Sequence, residues 1–271
     1  MPTLAFRAAG ALVGLAAGRA LALGGRSDGS LALACLLAEE LAEGRRDLQA
    51  LAHRWVERHR AEPGDIDAET AAALAHLARH DAPPSRAAGQ GSDPLVRAVP
   101  VALAACDAPR TLVSATYHVV ALTHPDPVVA WSAVAVNVAL ARLLQGHRDF
   151  VPDVVEALRN NEVPDSVLAA VRQVPLPRPD GTASEGSAPG LAEHDAKAAL
   201  WLAYHEPRLE RGLRTAAAPG PGAAGRAGLA GALLGARDGR DAVPASWIDS
   251  AEGDVLGALA TRLARVASAA G

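Results

Sequence analysis

The residues best suited to chemistry lie in the tetrapeptide Ser27-Asp28-Gly29-Ser30, which joins two stretches rich in alanine and leucine. Its hydroxyl and carboxylate oxygens are ligands of the kind that Mg²⁺ prefers. Serine and aspartate are also favoured N-cap residues, so the tetrapeptide is typical of a capped turn as well. We treat Ser27 and Asp28 as candidate ligand-binding and metal-binding residues, with capping as the structural alternative. A residue that only caps a helix should cost about 1 kcal/mol or less when it is replaced by alanine.

A second polar group, Asp93 and Arg97, lies where a loop rich in proline, glycine and serine runs into an apolar segment. Arginine presents a planar fork of N–H donors that suits a phosphate group, so Arg97 is a candidate ligand-binding residue together with Asp93. The alternative is a structural arginine that donates to backbone carbonyls between helices. The sequence leaves these two interpretations of Arg97 open.

Two groups of histidines also have the spacing or setting of functional residues. His124 lies in the turn Thr123-His124-Pro125-Asp126-Pro127, where we favour a scaffold role over a catalytic one. Asp126 followed by Pro127 is typical of a helix start. His76 and His80 are four residues apart, a spacing that suits a metal on one helix face. No third ligand is apparent near them, so we favour a surface pair.

The elements that must position these residues are two helices with stripes of small residues. Gly10, Gly14 and Gly18 recur every four residues in the first apolar segment, and Gly231 and Gly235 do so near the C-terminal end of the chain. Residues four apart lie on one helix face. We therefore predict that a helix at 8–20 packs closely against a helix at 227–237.

Composition predicts an all-α protein, and the length is enough for one or two domains. Half of the 271 residues are apolar but only 3% are aromatic, so the core must be built from alanine, leucine and valine, which favours helices. No run of alternating β-branched residues indicates a sheet. Two segments rich in proline, glycine and serine, at about 81–93 and 175–190, are expected to be mobile surface loops.

Several functional classes are disfavoured by charge and hydropathy. A formal net charge of −4 gives no electrostatic argument for nucleic-acid binding. We find no uninterrupted apolar run of about 18 residues, so we expect no membrane span. The two cysteines, Cys35 and Cys106, lie in apolar helical patterns and are predicted to be free thiols. We expect a cytoplasmic protein.

The order of these motifs resembles the ADP-ribosylglycohydrolase family over residues 6–247. That family opens with a glycine-striped helix, here Gly10 to Ala20, followed by a Thr-Asp-Asp-Thr turn, here residues 27–30. It has a Thr-His-x-Asp turn between two long helices, here residues 123–126, and a Gly-Gly-Asp-Thr-Asp-Thr signature, here residues 220–225. The resemblance implies a single domain over residues 1–271, folded as a compact orthogonal helical bundle. It also implies hydrolysis of the glycosidic bond of ADP-ribosylated substrates with two Mg²⁺ ions.

The chain departs from the family at the metal-binding positions. Arg19 and Gly29 stand where the family has aspartates, and Gly222, Ala224 and Gly225 replace the Asp-x-Asp-Thr of the second signature. The matched positions supply only the Asp28 carboxylate and the Ser27 hydroxyl. Two adjacent divalent ions need several carboxylates to offset their repulsion. We therefore expect no cofactor, and at most one weakly bound Mg²⁺ completed by the phosphates of a ligand.

Three hypotheses follow for the function. The first is a pseudoenzyme that binds an ADP-ribose-like small molecule, an ADP-ribosylated protein or another protein partner without two-metal hydrolysis. The second is an active ADP-ribosyl hydrolase with a reduced single-Mg²⁺ site, built from Asp28 and a further carboxylate such as Asp93 or Glu193. The third is a helical scaffold whose cleft is filled by its own side chains. Carboxylates that converge on Asp28 would favour the second hypothesis.

Overall fold

The computed structural model describes residues 2–24, 28–87, 89–177 and 190–270. Within these ranges it contains thirteen α-helices and no β-strand, which confirms the predicted all-α fold. The helices are α1 (Leu4–Leu23), α2 (Gly29–Ala42), α3 (Leu48–Ala61), α4 (Ala68–His80), α5 (Asp93–Ala105), α6 (Pro109–Ala121), α7 (Pro127–Leu144), α8 (Val151–Arg159), α9 (Asp165–Arg172), α10 (Ala192–His205), α11 (Leu209–Ala216), α12 (Ala223–Asp238) and α13 (Ser250–Ala270).

Aspartates set the starting points of the helices that surround the cleft described below. Asp28, Asp67 and Asp126 each accept hydrogen bonds from backbone N–H groups in the first turn of α2, α4 and α7. Pro127 follows Asp126 at the first position of α7, where its missing N–H costs nothing. The predicted helix start at residues 126–127 and the capping role of Asp28 are thus confirmed.

The closest helix pair is α1 with α12, and it is held by the two stripes of small residues. A Cβ atom added at Gly10 would overlap the carbonyl oxygen of Gly235, and one at Gly14 would overlap that of Gly231. At Gly18 the overlapping atom is the carbonyl oxygen of Ala227. The predicted contact between these two helices is confirmed, and it brings backbone against backbone with no room for a side chain.

The most apolar helices form the centre of the fold. Residues 129–141 of α7 are all buried, and α5 is buried along almost its whole length. Two helices, α1 and α7, are long and apolar enough by composition to cross a membrane, and 67% and 83% of their most apolar windows are buried inside the fold. Burial in the core therefore accounts for their apolar character.

Of the two predicted loops, the first is described almost completely and the second only at its ends. Residues 81–92 contain no helix among the residues described, and they connect α4 to α5. Gly91 forms an isolated antiparallel bridge with Leu191, which ties this connection to the start of α10. Most of the second predicted loop, 178–189, lies outside the described residues, so its expected mobility stays a prediction.

The contact between α1 and α12 predicts a strong effect of a single methyl group. Gly14→Ala should destabilise the fold by about 1–3 kcal/mol, because the added Cβ meets backbone that cannot rotate away. Chemical denaturation measures the free energy of unfolding of this variant and of a control variant. The control is Gly257→Ala in α13, where a Cβ meets nothing within 4 Å and better helix propensity should raise stability by up to about 1 kcal/mol. Equal stability of the two variants would contradict the close contact.

Candidate functional site

Asp28, the carboxylate that suggested a metal site, is bound by an arginine side chain. Arg19, near the C-terminal end of α1, donates from Nε and Nη2 to the two carboxylate oxygens of Asp28, at 2.5 and 2.8 Å. Its Nη1 donates to Oδ1 of Asp93 at 2.6 Å. The guanidinium thus joins the cap of α2 to the first residue of α5. We call Arg19, Asp28 and Asp93 the arginine bridge.

The arginine bridge is largely withdrawn from water, so its charges depend on one another. The exposed fractions of the side chains are 4% for Arg19, 12% for Asp28 and 24% for Asp93. Burial alone would lower the pKa of Arg19, but Asp93 and Asp28 raise it above its usual value. Burial would raise the pKa of Asp93, yet Arg19 outweighs this effect and the pKa is lowered. One guanidinium therefore lies between two carboxylate side chains.

Helix α12 makes room for the arginine bridge. A Cβ atom added at Gly228 would lie 2.7 Å from Cγ of Arg19, so the arginine side chain crosses α12 at a residue that has none. Gly228 lies one residue after Ala227, the residue whose carbonyl touches Gly18. The close approach of α1 and α12 therefore also determines where the guanidinium lies.

Three of the other positions that matched the family's metal-binding motifs have no space for a larger side chain. At Gly29, a Cβ would lie 2.6 Å from Oδ1 of Asp65 and would overlap Ile66. At Gly222, which has a φ of 70°, a Cβ would overlap the carboxylate of Asp195. At Gly225 it would overlap Oγ of Ser92. Restoring a larger residue at any of these positions would need the surrounding chain to move.

Asp195, on α10, is a buried carboxylate that the sequence analysis did not single out. It is fully buried and accepts a hydrogen bond from Oγ of Ser92 at 2.7 Å. Nη1 of Arg226 lies 3.4 Å from its other oxygen. The sequence does not distinguish Asp195 from its neighbours, because Glu193, His194 and Lys197 are also ionisable. Asp195 occupies the space beside Gly222 with a carboxylate that is already bonded inside the protein.

A cleft of about 700 Å³ lies beside the arginine bridge. Its walls come from the start of α4, the start of α5, the turn before α7 and the glycine loop before α12. The polar residues that line it are Asp67, Glu69, Ser92, Asp93 and His124. The residues 220–225, where the second signature falls, supply much of the opposite wall. Of the candidate residues, Asp93 and His124 line this cleft.

Arg97 is the candidate residue whose two interpretations the structure separates most clearly. Its side chain is only 1% exposed and stacks over the ring of Trp55, 5.7 Å from the ring centroid. Nη1 donates to Oγ1 of Thr70 at 2.9 Å, and Nη2 donates to Oγ1 of Thr123 at 2.7 Å. Burial lowers the pKa of this guanidinium. Arg97 therefore bonds threonines between helices, and it does not line the cleft.

The remaining candidates are placed as follows. Ser27 lies outside the described residues, so its role as a ligand stays a prediction. Asp28 faces Arg19 rather than the cleft. His124 does line the cleft, with Nδ1 3.0 Å from Oγ1 of Thr123 and Nε2 3.5 Å from Oε2 of Glu69. Burial, with a further contribution from Arg97, lowers the pKa of His124 to about 3, so its ring is neutral at neutral pH.

These residues do not fit a pair of Mg²⁺ ions at the matched positions. Asp28, the carboxylate kept at the first motif, has both oxygens bonded to a permanent cation. The second motif offers Gly222, Ala224 and Gly225, which carry no oxygen in their side chains. A cation placed against Asp28 would also face the guanidinium at short range, where like charges repel. No hydrolytic step through two metal ions can be built on this arrangement.

The arginine bridge predicts that Asp28 does more than cap α2, which corrects the small cost expected from the sequence. Asp28→Ala would leave the buried guanidinium of Arg19 with one partner, and breaking a buried pair costs about 3–5 kcal/mol. The matched control is Asp47→Ala, which removes an exposed cap of α3 and should cost about 1 kcal/mol. Urea denaturation of both variants measures the difference. Equal losses would mean that Asp28 is only a cap.

Comparison with known proteins agrees with the fold and the motif order. A family model described as ADP-ribosylglycohydrolase matches residues 1–271. A solved structure titled "ADP-ribosylglycohydrolase-related protein complex" superimposes with a TM-score of 0.81 and 24% sequence identity, covering 98% of this chain and 100% of that one. No curated protein matches the chain. At this identity the structural likeness supports the all-α fold alone, whereas the family model spans the full sequence. The chain belongs to the ADP-ribosylglycohydrolase family.

Proposed function

We propose that this protein binds an ADP-ribose-like ligand in its cleft and does not perform two-metal hydrolysis. The observation that carries the proposal is the arginine bridge, in which Arg19 neutralises Asp28 and Asp93 from inside the protein. A permanent guanidinium cannot polarise a bound water or ionise it, which is what a metal ion supplies in hydrolysis. The family's cleft is retained in this chain, and its metal-dependent chemistry is not.

The shape of the cleft supports a small-molecule ligand. A volume of about 700 Å³ falls within the range of about 300–1,000 Å³ usual for ligand sites. Helix α12 begins in the wall of the cleft, at Gly222, without a side-chain cap. The N-terminus of a helix favours negative charge and offers free N–H donors, which suits the diphosphate of an ADP-ribose-like ligand. The same site would accept the ADP-ribose group of a modified protein in the cytoplasm.

The two other hypotheses receive less support. A reduced single-Mg²⁺ enzyme requires a second carboxylate beside Asp28, and Asp93 is indeed close, but both are bonded to Arg19. Glu193, the other carboxylate considered, does not line the cleft. A scaffold with a filled cleft is hard to reconcile with an open volume that has polar walls. Ligand binding without two-metal hydrolysis is therefore the function that we favour.

Calorimetric titration with ADP-ribose in the presence of a chelator tests this proposal. We expect the wild type to bind ADP-ribose without added metal. The affinity of Ala223→Glu for ADP-ribose should be lower by about tenfold or more, because the new carboxylate would repel the phosphates of the ligand. The control is Ala251→Glu, the same substitution in the first turn of α13 and away from this cleft. We also expect no Mg²⁺-dependent release of ADP-ribose from an ADP-ribosylated peptide.

The outcomes separate the hypotheses. Binding to the wild type and to Ala251→Glu, but not to Ala223→Glu, places the ligand at the start of α12. An absence of ADP-ribose binding in all three proteins would reject the proposal. Release of ADP-ribose that requires Mg²⁺ would show the reduced-site enzyme to be correct.

A further inference from the structure

We propose that Asp67, Glu69 and His124 form a binding site for one divalent transition-metal ion, separate from the arginine bridge. The three residues come from the N-cap of α4, the first turn of α4 and the turn before α7. One ligand atom from each lies within 4.8 Å of the others. This inference does not depend on ADP-ribose binding, and it uses none of the positions matched to the family's metal motifs. We call these residues the His–Asp–Glu cluster.

The spacing of the ligand atoms is close to that required by a single ion. Zinc binds histidine nitrogens and carboxylate oxygens at about 2.0–2.2 Å with tetrahedral geometry, so two ligand atoms on one ion lie about 3.4 Å apart. Nε2 of His124 and Oε2 of Glu69 are already 3.5 Å apart. The three ligand atoms lie within 4.8 Å of one another, so side-chain movements of about 1.4 Å or less would bring all of them to this distance.

The histidine in this cluster has a ring nitrogen that forms no hydrogen bond within the part of the chain that the structure describes. His124 is 1% exposed, and its Nε2 has no hydrogen-bond partner among the described residues. A buried polar atom left without a partner carries a desolvation cost, and such an atom in a folded protein calls for an explanation. An imidazole presents either an N–H or a lone pair at Nε2, and the lone pair is what a metal ion binds. Nε2 faces the Glu69 carboxylate, which opens to the cleft.

The surroundings hold the ligands in place. Thr70 donates from Oγ1 to Oδ2 of Asp67 at 2.6 Å, and Oγ1 of Thr123 lies 3.0 Å from Nδ1 of His124. Arg97 donates to both threonine oxygens, so one buried guanidinium fixes the two hydroxyls that orient two ligands. Outer partners of this kind set the ring orientation of metal-binding histidines.

The carboxylate of Glu69 is positioned separately. The backbone N–H of Gly91 donates to its Oε2 at 3.2 Å, and a Cβ atom at Gly89 would overlap the carboxylate. The nearby loop is thus shaped around this group. The Glu69 side chain is 38% exposed, which leaves a path for an ion to enter from the cleft.

The charges and ligand types indicate the class of ion. The cluster supplies two carboxylates, and Asp93 and Asp126 are also near enough to act electrostatically on His124, which offsets the positive charge of Arg97. Imidazole suits zinc and similar transition metals, whereas Mg²⁺ prefers oxygen ligands alone. Three protein ligands leave a further coordination position, and here it would face the cleft. Zn²⁺ is therefore the appropriate probe.

The test is equilibrium dialysis of untagged, chelator-stripped protein against Zn²⁺, with metal analysis of the retained fraction. All proteins carry His80→Gln, which removes the exposed pair of His76 and His80, whose rings are 4.4 Å apart. In this background we expect about one equivalent of Zn²⁺. Replacing even an outer partner of a metal ligand typically costs about 10–100-fold in metal affinity. Because Glu69 and Asp67 would be direct ligands, Glu69→Gln and Asp67→Asn should each weaken zinc binding by at least about 10-fold.

Two controls make the result decisive. Glu156→Gln removes an equal charge from the exposed face of α8 and should leave zinc binding unchanged. Asparagine caps a helix about as well as aspartate, so Asp67→Asn should melt at the parent temperature in chelator. A visible absorption band on Co²⁺ substitution that is lost in Glu69→Gln would confirm inner-sphere binding. The proposal is overturned if the parent retains no zinc, or if Glu69→Gln and Asp67→Asn bind zinc as Glu156→Gln does.

Discussion

The backbone contact between α1 and α12 is the constraint on which the rest of the structure depends. Gly10, Gly14 and Gly18 allow the two helices to approach until each glycine meets a carbonyl oxygen of the partner helix. At this separation the side chain of Arg19 must pass over the bare backbone of Gly228. From there it reaches the starts of α2 and α5. The glycine stripes therefore do more than pack two helices together, because they also determine where the positive charge of Arg19 lies.

That positive charge is the basis for our proposal that this chain functions without the two metal ions of its family. Two carboxylates at adjoining helix starts repel each other unless a cation lies between them. Arg19 provides that cation as part of the chain, and it bonds both groups. With Arg19 in place, carboxylates at positions 29 and 222 would have no metal ion to bind. The space around these positions is occupied by Asp65, Ile66 and Asp195. The changes at positions 19, 29 and 222 therefore lie in one connected set of contacts.

The features that could be predicted from sequence are those with local periodicity. The helices, the paired glycine stripes and the caps at Asp28 and Asp126 follow from spacing along the chain. The arginine bridge could not be predicted, because it joins residues up to 74 positions apart that meet only when three helices pack. The same holds for Asp195 and for the His–Asp–Glu cluster. The role of Arg97 could not be predicted either, because it depends on the burial of its side chain between helices, and local sequence patterns do not predict that burial.

The most direct test of the account is the dependence of unfolding on Mg²⁺ in the wild type and in Arg19→Met, at constant ionic strength and without ADP-ribose. A metal bound only by the native state adds about 4 kcal/mol at a thousandfold excess over its Kd. If Arg19 takes the place of the cation, millimolar Mg²⁺ leaves the wild type unchanged, while Arg19→Met is markedly less stable and regains stability as Mg²⁺ is added. A wild type stabilised by Mg²⁺, or an Arg19→Met variant as stable as the wild type, would contradict the account.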